Sequence, residues 1–114
     1  MQLEIVGRTL VAHIDGDLDH HCATNIRREL DKILKRSEIK NLILDFSGLD
    51  FMDSSGIGVI IGRYKLINQI GGKTAVVVTK PNVNRMLTAS GLKKIVSSYK
   101  TVSDALKGLK EVKA

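Results

Sequence analysis

Tryptophan is absent from this 114-residue chain, and tyrosine and phenylalanine occur only twice each. So few rings give no platform on which unpaired bases could stack. Cys22 is the single cysteine, which excludes a disulfide framework and a four-cysteine zinc site. The longest apolar run, Ile57 to Ile61, is broken by Gly58 and closed by Gly62, far too short to span a bilayer. The first residues, Met1-Gln2-Leu3-Glu4, lack the basic and apolar regions of a secretory signal. There is no repeat, low-complexity tract or linker to mark a domain boundary. The expectation is one soluble, cytoplasmic domain with no membrane partner.

What is present fits a globular chain: 43% hydrophobic and 26% charged residues. A domain of this length buries roughly 65% of its unfolded surface and needs no metal or disulfide to fold. Eighteen Lys and Arg against twelve Asp and Glu give a net charge of +6. The cations are spread over Arg27-Arg28, Lys35-Arg36, Lys93-Lys94 and the tail Lys107, Lys110 and Lys113, without five like charges in a row. Acidic neighbours (Glu29, Asp31, Glu38, Asp104, Glu111) make these read as solvated helix faces, so charge alone names no partner and direct nucleic-acid binding is not expected.

Leu3–Val6 and Thr9–Asp15 read as extended segments joined by Gly7-Arg8, a glycine-first loop suited to a type II′ hairpin. Leu10, Ala12 and Ile14 alternate with Val11 and His13, predicting one buried face and an exposed or half-buried His13. Asp15–Asp19 is expected as a loop, followed by a helix to about Arg36 that buries Ile26, Leu30, Ile33 and Leu34 and is capped by Asp19. Cys22 is expected as a small buried residue. Asn41–Phe46 has the continuous apolar run of a strand covered on both faces. After a turn at Ser47-Gly48, the pair Phe51-Met52 should anchor the start of a second helix with an inward stripe of Ile57, Ile60, Ile61, Tyr64 and Ile67, stopped at Gly71-Gly72. Thr74–Val78 reads as a buried strand, Asn82–Ser90 as a short helix ended by Gly91, and Ile95–Ser97 as an edge strand. Val102, Ala105, Leu106, Leu109 and Val112 form the final amphipathic pattern. The order ββαβαβαβα predicts an α/β fold: a mixed, mainly parallel sheet of about five strands with about four helices.

In such a sheet the loops at Asp15–Asp19, Phe51–Ser55 and Lys80-Pro81 open on one edge, where sites lie. Ser54 and Ser55 stand there at a helix start, beside Asp53, where free backbone N–H groups, including those after Gly56, welcome negative charge such as a phosphate. A catalytic serine would need a base, yet His13, His20 and His21 all precede it, and Met52 stands where a nucleophile elbow requires glycine. No catalytic residue is assigned. Gly56, Gly58 and Gly62 are spaced G-x-G-x-x-x-G, which departs from the dinucleotide fingerprint and reads as helix–sheet packing; no cofactor is expected. Asp17, Asp19, His20, His21 and Cys22 are too nearly consecutive on a helix start to converge on a metal. Asp19 stands apart as a candidate for contacting a positive partner group.

Leu18-Asp19-His20-His21, Phe51-Met52-Asp53-Ser54-Ser55-Gly56-Ile57-Gly58, Gly62-Arg63-Tyr64-Lys65, Ile70-Gly71-Gly72 and Ser90-Gly91-Leu92 together resemble the STAS-domain family over nearly the whole chain, and within it the sporulation anti-sigma factor antagonists. The resemblance implies a single STAS domain over residues 1–114 and a regulatory switch rather than an enzyme. It implies that the unphosphorylated form binds an anti-sigma factor that is also a serine kinase holding its nucleotide, so that a sporulation sigma factor is released. The serine after the motif aspartate, here Ser54 and less favourably Ser55, would be phosphorylated by that kinase and restored by a serine phosphatase. Asp19, Asp53, Ser54, Ser55 and Gly56 become the expected partner-binding residues, together with the exposed face of the helix that follows, with Asp53 holding the loop and Gly56 admitting close approach. A stress-response antagonist with the same switch, or a STAS docking module, is the alternative that the resemblance allows.

Overall fold

One glycine sets the opening hairpin. Gly7 sits at φ 60°, a conformation that L side chains avoid, and turns β1 (Gln2–Val6) back antiparallel onto β2 (Thr9–His13). The computed structural model describes residues 1–110; the readings of Glu111, Val112 and Lys113 lie outside them. Beyond the hairpin all pairings are parallel: β2 with β4 (Asn41–Asp45), β4 with β6 (Thr74–Val77), and β6 with β7 (Ser97–Tyr99). The main sheet runs β1-β2-β4-β6-β7.

A second, two-stranded ribbon pairs β3 (Gly16–Leu18) parallel with β5 (Leu49–Met52). It replaces the loop expected at Asp15–Asp19 and the simple approach expected to the second helix. Three- and four-residue strands carry no readable alternation; burial of Leu18, Leu49 and Met52 holds this pair in place. The Phe51-Met52 anchor is also corrected. Met52 is buried, whereas Phe51 is 50% exposed.

The helices are α1 (His20–Leu34), α2 (Ser54–Gln69), α3 (Pro81–Ala89) and α4 (Val102–Gly108), with a single 3₁₀ turn over Leu92–Lys94. On one face of the sheet, Leu10, Ala12, Leu42, Leu44 and Val76 pack with Leu30, Ile60, Ile67, Val83 and Leu87 from the first three helices. On the other, Val11, Ile43, Ala75 and Val77 pack under Ala105 and Leu109. β2 is therefore buried on both faces rather than one, because Val11 belongs to the second cluster, with Ile43, Ala75 and Val77. Each fully buried Leu or Ile here is worth about 1.5–3 kcal/mol, so the sandwiched sheet outweighs any single cap or turn.

Two corrections concern α2. Its inward side carries Val59 and Arg63 in addition to the expected stripe, of which Ile60 and Ile67 are buried and Ile57, Ile61 and Tyr64 pack half-buried against the same core. Arg63 enters because Asp31 of α1 meets it, Nε lying 3.0 Å from Oδ1 as an ion pair without hydrogen-bond alignment. Of the three glycines assigned to packing, only Gly56 serves it: a Cβ there would lie 2.7 Å from the Leu18 carbonyl oxygen and 2.7 Å from Met52 Cγ. A Cβ on Gly58 or Gly62 would meet nothing within 4 Å. The edge strand also shifts. Val96 packs into the core and β7 begins at Ser97, leaving Ile95 exposed.

Candidate functional site

The parallel β3–β5 pair decides where the site forms. Leu18 is opposite Met52, so the next residues of the two strands, Asp19 and Asp53, arrive side by side as the N-caps of α1 and α2. Both adopt extended backbone, with φ −116° and −114°, the geometry that aims a short carboxylate back at the first turn. Asp19 Oδ1 accepts from the backbone N–H of His21 at 3.0 Å and of Cys22 at 3.1 Å. Asp53 Oδ1 accepts from Ser55 N–H at 2.8 Å and Gly56 N–H at 3.3 Å. Its other oxygen, Oδ2, accepts from His20 N–H across the gap at 3.1 Å. One aspartate thus caps its own helix and ties it to the start of the other.

Ser54, the first residue of α2, is exposed; Ser55, Asp53 and Asp19 are half-buried around it. Four of the five expected contact residues therefore share one surface. Gly56 is the exception: it is buried against Leu18 and Met52, where its missing side chain serves helix–ribbon packing. The expectation that N–H groups after Gly56 stand free for a phosphate is corrected as well: the Ile57 N–H donates to the Asp53 backbone carbonyl at 3.2 Å, and Asp53 Oδ1 already takes those of Ser55 and Gly56. The third loop joins the edge as read from sequence. Lys80 Nζ lies 2.6 Å from Asp50 Oδ1, and Asn82 Nδ2 donates to the Asp50 carbonyl at 2.6 Å. Phe51 stands exposed between this loop and Asp53, a surface feature that sequence reading missed; β5 turns Leu49 and Met52 inward and Asp50 and Phe51 outward.

The electrostatics are those of a binding edge. Burial pushes the Asp19 carboxyl up, but hydrogen bonds from Cys22 and His21 outweigh it and hold the group below its ordinary range, as an anion. The same contact works on Cys22 in the opposite sense: the hydrogen bond to Asp19, with burial, pushes the thiol up and keeps it protonated. Cys22 is half-buried rather than buried. The His20 and His21 rings meet each other edge-on at 5.9 Å, and among the described residues neither imidazole hydrogen-bonds Ser54. No group of three potential metal ligands converges among the described residues.

The chain belongs to the STAS-domain family, whose model matches residues 1–105. Within that family it is 45% identical over 103 residues to an anti-sigma F factor antagonist of Paenibacillus polymyxa, covering 90% of this chain and 88% of that one. The solved structure of the anti-sigma factor antagonist SpoIIAA in its unphosphorylated form matches with a TM-score of 0.84 at 31% identity, over 97% of this chain and 96% of the other. The phosphorylated form of the Bacillus cell fate determinant SpoIIAA matches with a TM-score of 0.74 at 31% identity, over 94% and 96%.

Proposed function

We propose that this chain is an anti-sigma factor antagonist of the sporulation type, controlled by phosphorylation of Ser54. In its unphosphorylated form it binds an anti-sigma factor, and the sigma factor held by that partner is released. The partner is a serine kinase carrying a nucleotide. The Ser54 hydroxyl oxygen attacks the γ-phosphorus, the bond to the β-phosphate oxygen breaks, and the hydroxyl proton passes to a base of the kinase. A serine phosphatase hydrolyses the ester and restores binding. In this reading residues 1–114 are one domain acting in the cytoplasm by binding, not catalysis, without direct contact to nucleic acid or membrane. No helix among the described residues is long and apolar enough to cross a bilayer.

The observation that carries the assignment is the contrast between the two serines. Ser54 is exposed at the head of α2, whereas Ser55 is half-buried and its N–H is held by Asp53. Homology to a protein solved both with and without phosphate supports the same reading. Phosphorylation adds about −1.5 to −2 charges. That charge lands at the head of α2, next to Asp53 and on the edge that also carries Asp19, whose oxygens already take backbone amides, so a complex built on this edge must desolvate an additional anion. A loss of about 3 kcal/mol weakens binding more than a hundredfold. Helix α2 tolerates negative charge at its N-terminus, so the fold stays intact and the interface changes.

The test is intact-mass spectrometry after incubation with the anti-sigma kinase and ATP, alongside size-exclusion chromatography. The expected result is one phosphoryl group on the wild type and none on Ser54→Ala, with a kinase complex that the phosphorylated chain fails to form. Phosphate on Ser54→Ala relocates the acceptor to Ser55; no phosphate and no complex overturns the function.

A further inference from the structure

The outer side of α1 presents a second surface besides the edge formed by Asp19, Asp53 and Ser54. Thr24, Arg27, Arg28, Asp31, Lys32 and Lys35 surround a groove of about 460 Å³. Their spacing of three and four residues sets them in one stripe. Asp31 is the only acid in it, and its carboxylate is already committed to the buried guanidinium of Arg63. Arg27, Arg28, Lys32 and Lys35 have no acidic side chain within ion-pair distance among the described residues.

An apolar groove of about 280 Å³ adjoins the stripe and shares Asp31 and Lys35 with it. It runs between the C-terminal parts of α1 and α2, lined by Leu34, Leu66, Ile67 and Ile70, and Leu66 and Ile70 are 41% and 53% exposed. A nucleic acid would answer the cations and leave this groove empty. An acidic amphipathic helix answers both, placing carboxylates along Arg27, Arg28 and Lys32 and apolar side chains between Leu34 and Ile70. We propose that the basic stripe and the apolar groove form one docking surface for an acidic amphipathic segment of a protein partner. Leu66 lies about three turns beyond Ser54, roughly 18 Å along α2 at 1.5 Å per residue, so the apolar end of this surface stands well away from the phosphorylation edge.

The experiment uses the full chain and a fluorescein-labelled helical peptide with leucines at i, i+3, i+4 and i+7 among glutamates, followed by fluorescence anisotropy. A control peptide replaces the leucines with serine, and a duplex DNA oligonucleotide provides the other polyanion. The expected result is saturable binding of the amphipathic peptide, weakened about tenfold both by Arg28→Glu with Lys32→Glu and by Leu66→Ser with Ile70→Ser. The serine control and the DNA should bind at least tenfold more weakly than the amphipathic peptide. Equal binding of the serine control, tighter binding of DNA, or no anisotropy change overturns the proposal. Should the Leu66 and Ile70 pair of changes unfold the chain, the two peptides still make the same comparison on the unaltered protein.

Discussion

Asp53 is the residue on which the candidate site depends mechanically, more than the serine beside it. Its Oδ1 closes the first turn of α2 and its Oδ2 holds the His20 amide at the head of α1. Removing the carboxylate strands donors at two helix starts at once. Asp53→Ala is therefore expected to lower stability by about 1–2 kcal/mol, and Asp53→Asn, which keeps one acceptor oxygen, by less. Thermal unfolding followed by circular dichroism measures both; a melting temperature unchanged in Asp53→Ala would show that the bridge to His20 carries no weight. Kinase binding should fall in Asp53→Ala beyond what unfolding explains, because Ser54 is held in place by the cap that precedes it.

At the scale of elements, α2 supplies a pair of glycines with opposite expected behaviour. Gly56 faces the β3 ribbon so closely that a methyl group would press on the Leu18 carbonyl, a backbone atom that cannot swing aside; Gly56→Ala is expected to destabilise by about 1–3 kcal/mol despite the better helix propensity of alanine. Gly58, two positions on, is exposed with open space at its Cβ, so Gly58→Ala should stabilise by about 0.5–1 kcal/mol. Urea unfolding of the two variants checks the pair, and the same sign in both would refute it. This contrast also marks what was legible beforehand. The Asp19 cap and the stop at Gly71-Gly72 depend on chemistry within three or four residues, and both are legible in the sequence. The β3–β5 ribbon, the burial of Gly56 and the inward turn of Arg63 depend on contacts with residues more than thirty positions away. No local pattern encodes those contacts, so the burial of Gly56 against Leu18 is not legible in the sequence.

For the molecule as a whole, stability should depend on a clamp that joins three strands of the main sheet. His13 of β2 places Nδ1 2.6 Å from Asp45 Oδ2 on β4 and Nε2 2.9 Å from Glu4 Oε1 on β1. Only the protonated ring can donate to both carboxylates. The hydrogen bond to Glu4 raises the His13 pKa above 6.5 against the opposing effect of burial, and Asp45 adds to the rise. A group raised in the folded state contributes stability that is complete below its unfolded pKa and is lost as pH climbs through the folded value. Asp45 behaves in the opposite sense: burial pushes its carboxyl up, but the Ser47 amide and His13 outweigh it and bring it below 3.8. Its contribution is present above the unfolded carboxylate range and disappears as pH falls through the lower folded value. Stability should therefore peak at about pH 5–6, between the two titrations. The acid limb is not diagnostic by itself, because a chain already at +6 gains further positive charge there and repels itself. The alkaline limb is. His13→Gln should lose about 1–2 kcal/mol at pH 5.5 and flatten the decline above pH 6.5, so that wild type and variant converge as pH rises. Melting temperatures measured from pH 4 to 9 decide the matter: parallel profiles would assign the alkaline decline to some other group and leave the β1–β2–β4 clamp without a role in the pH response.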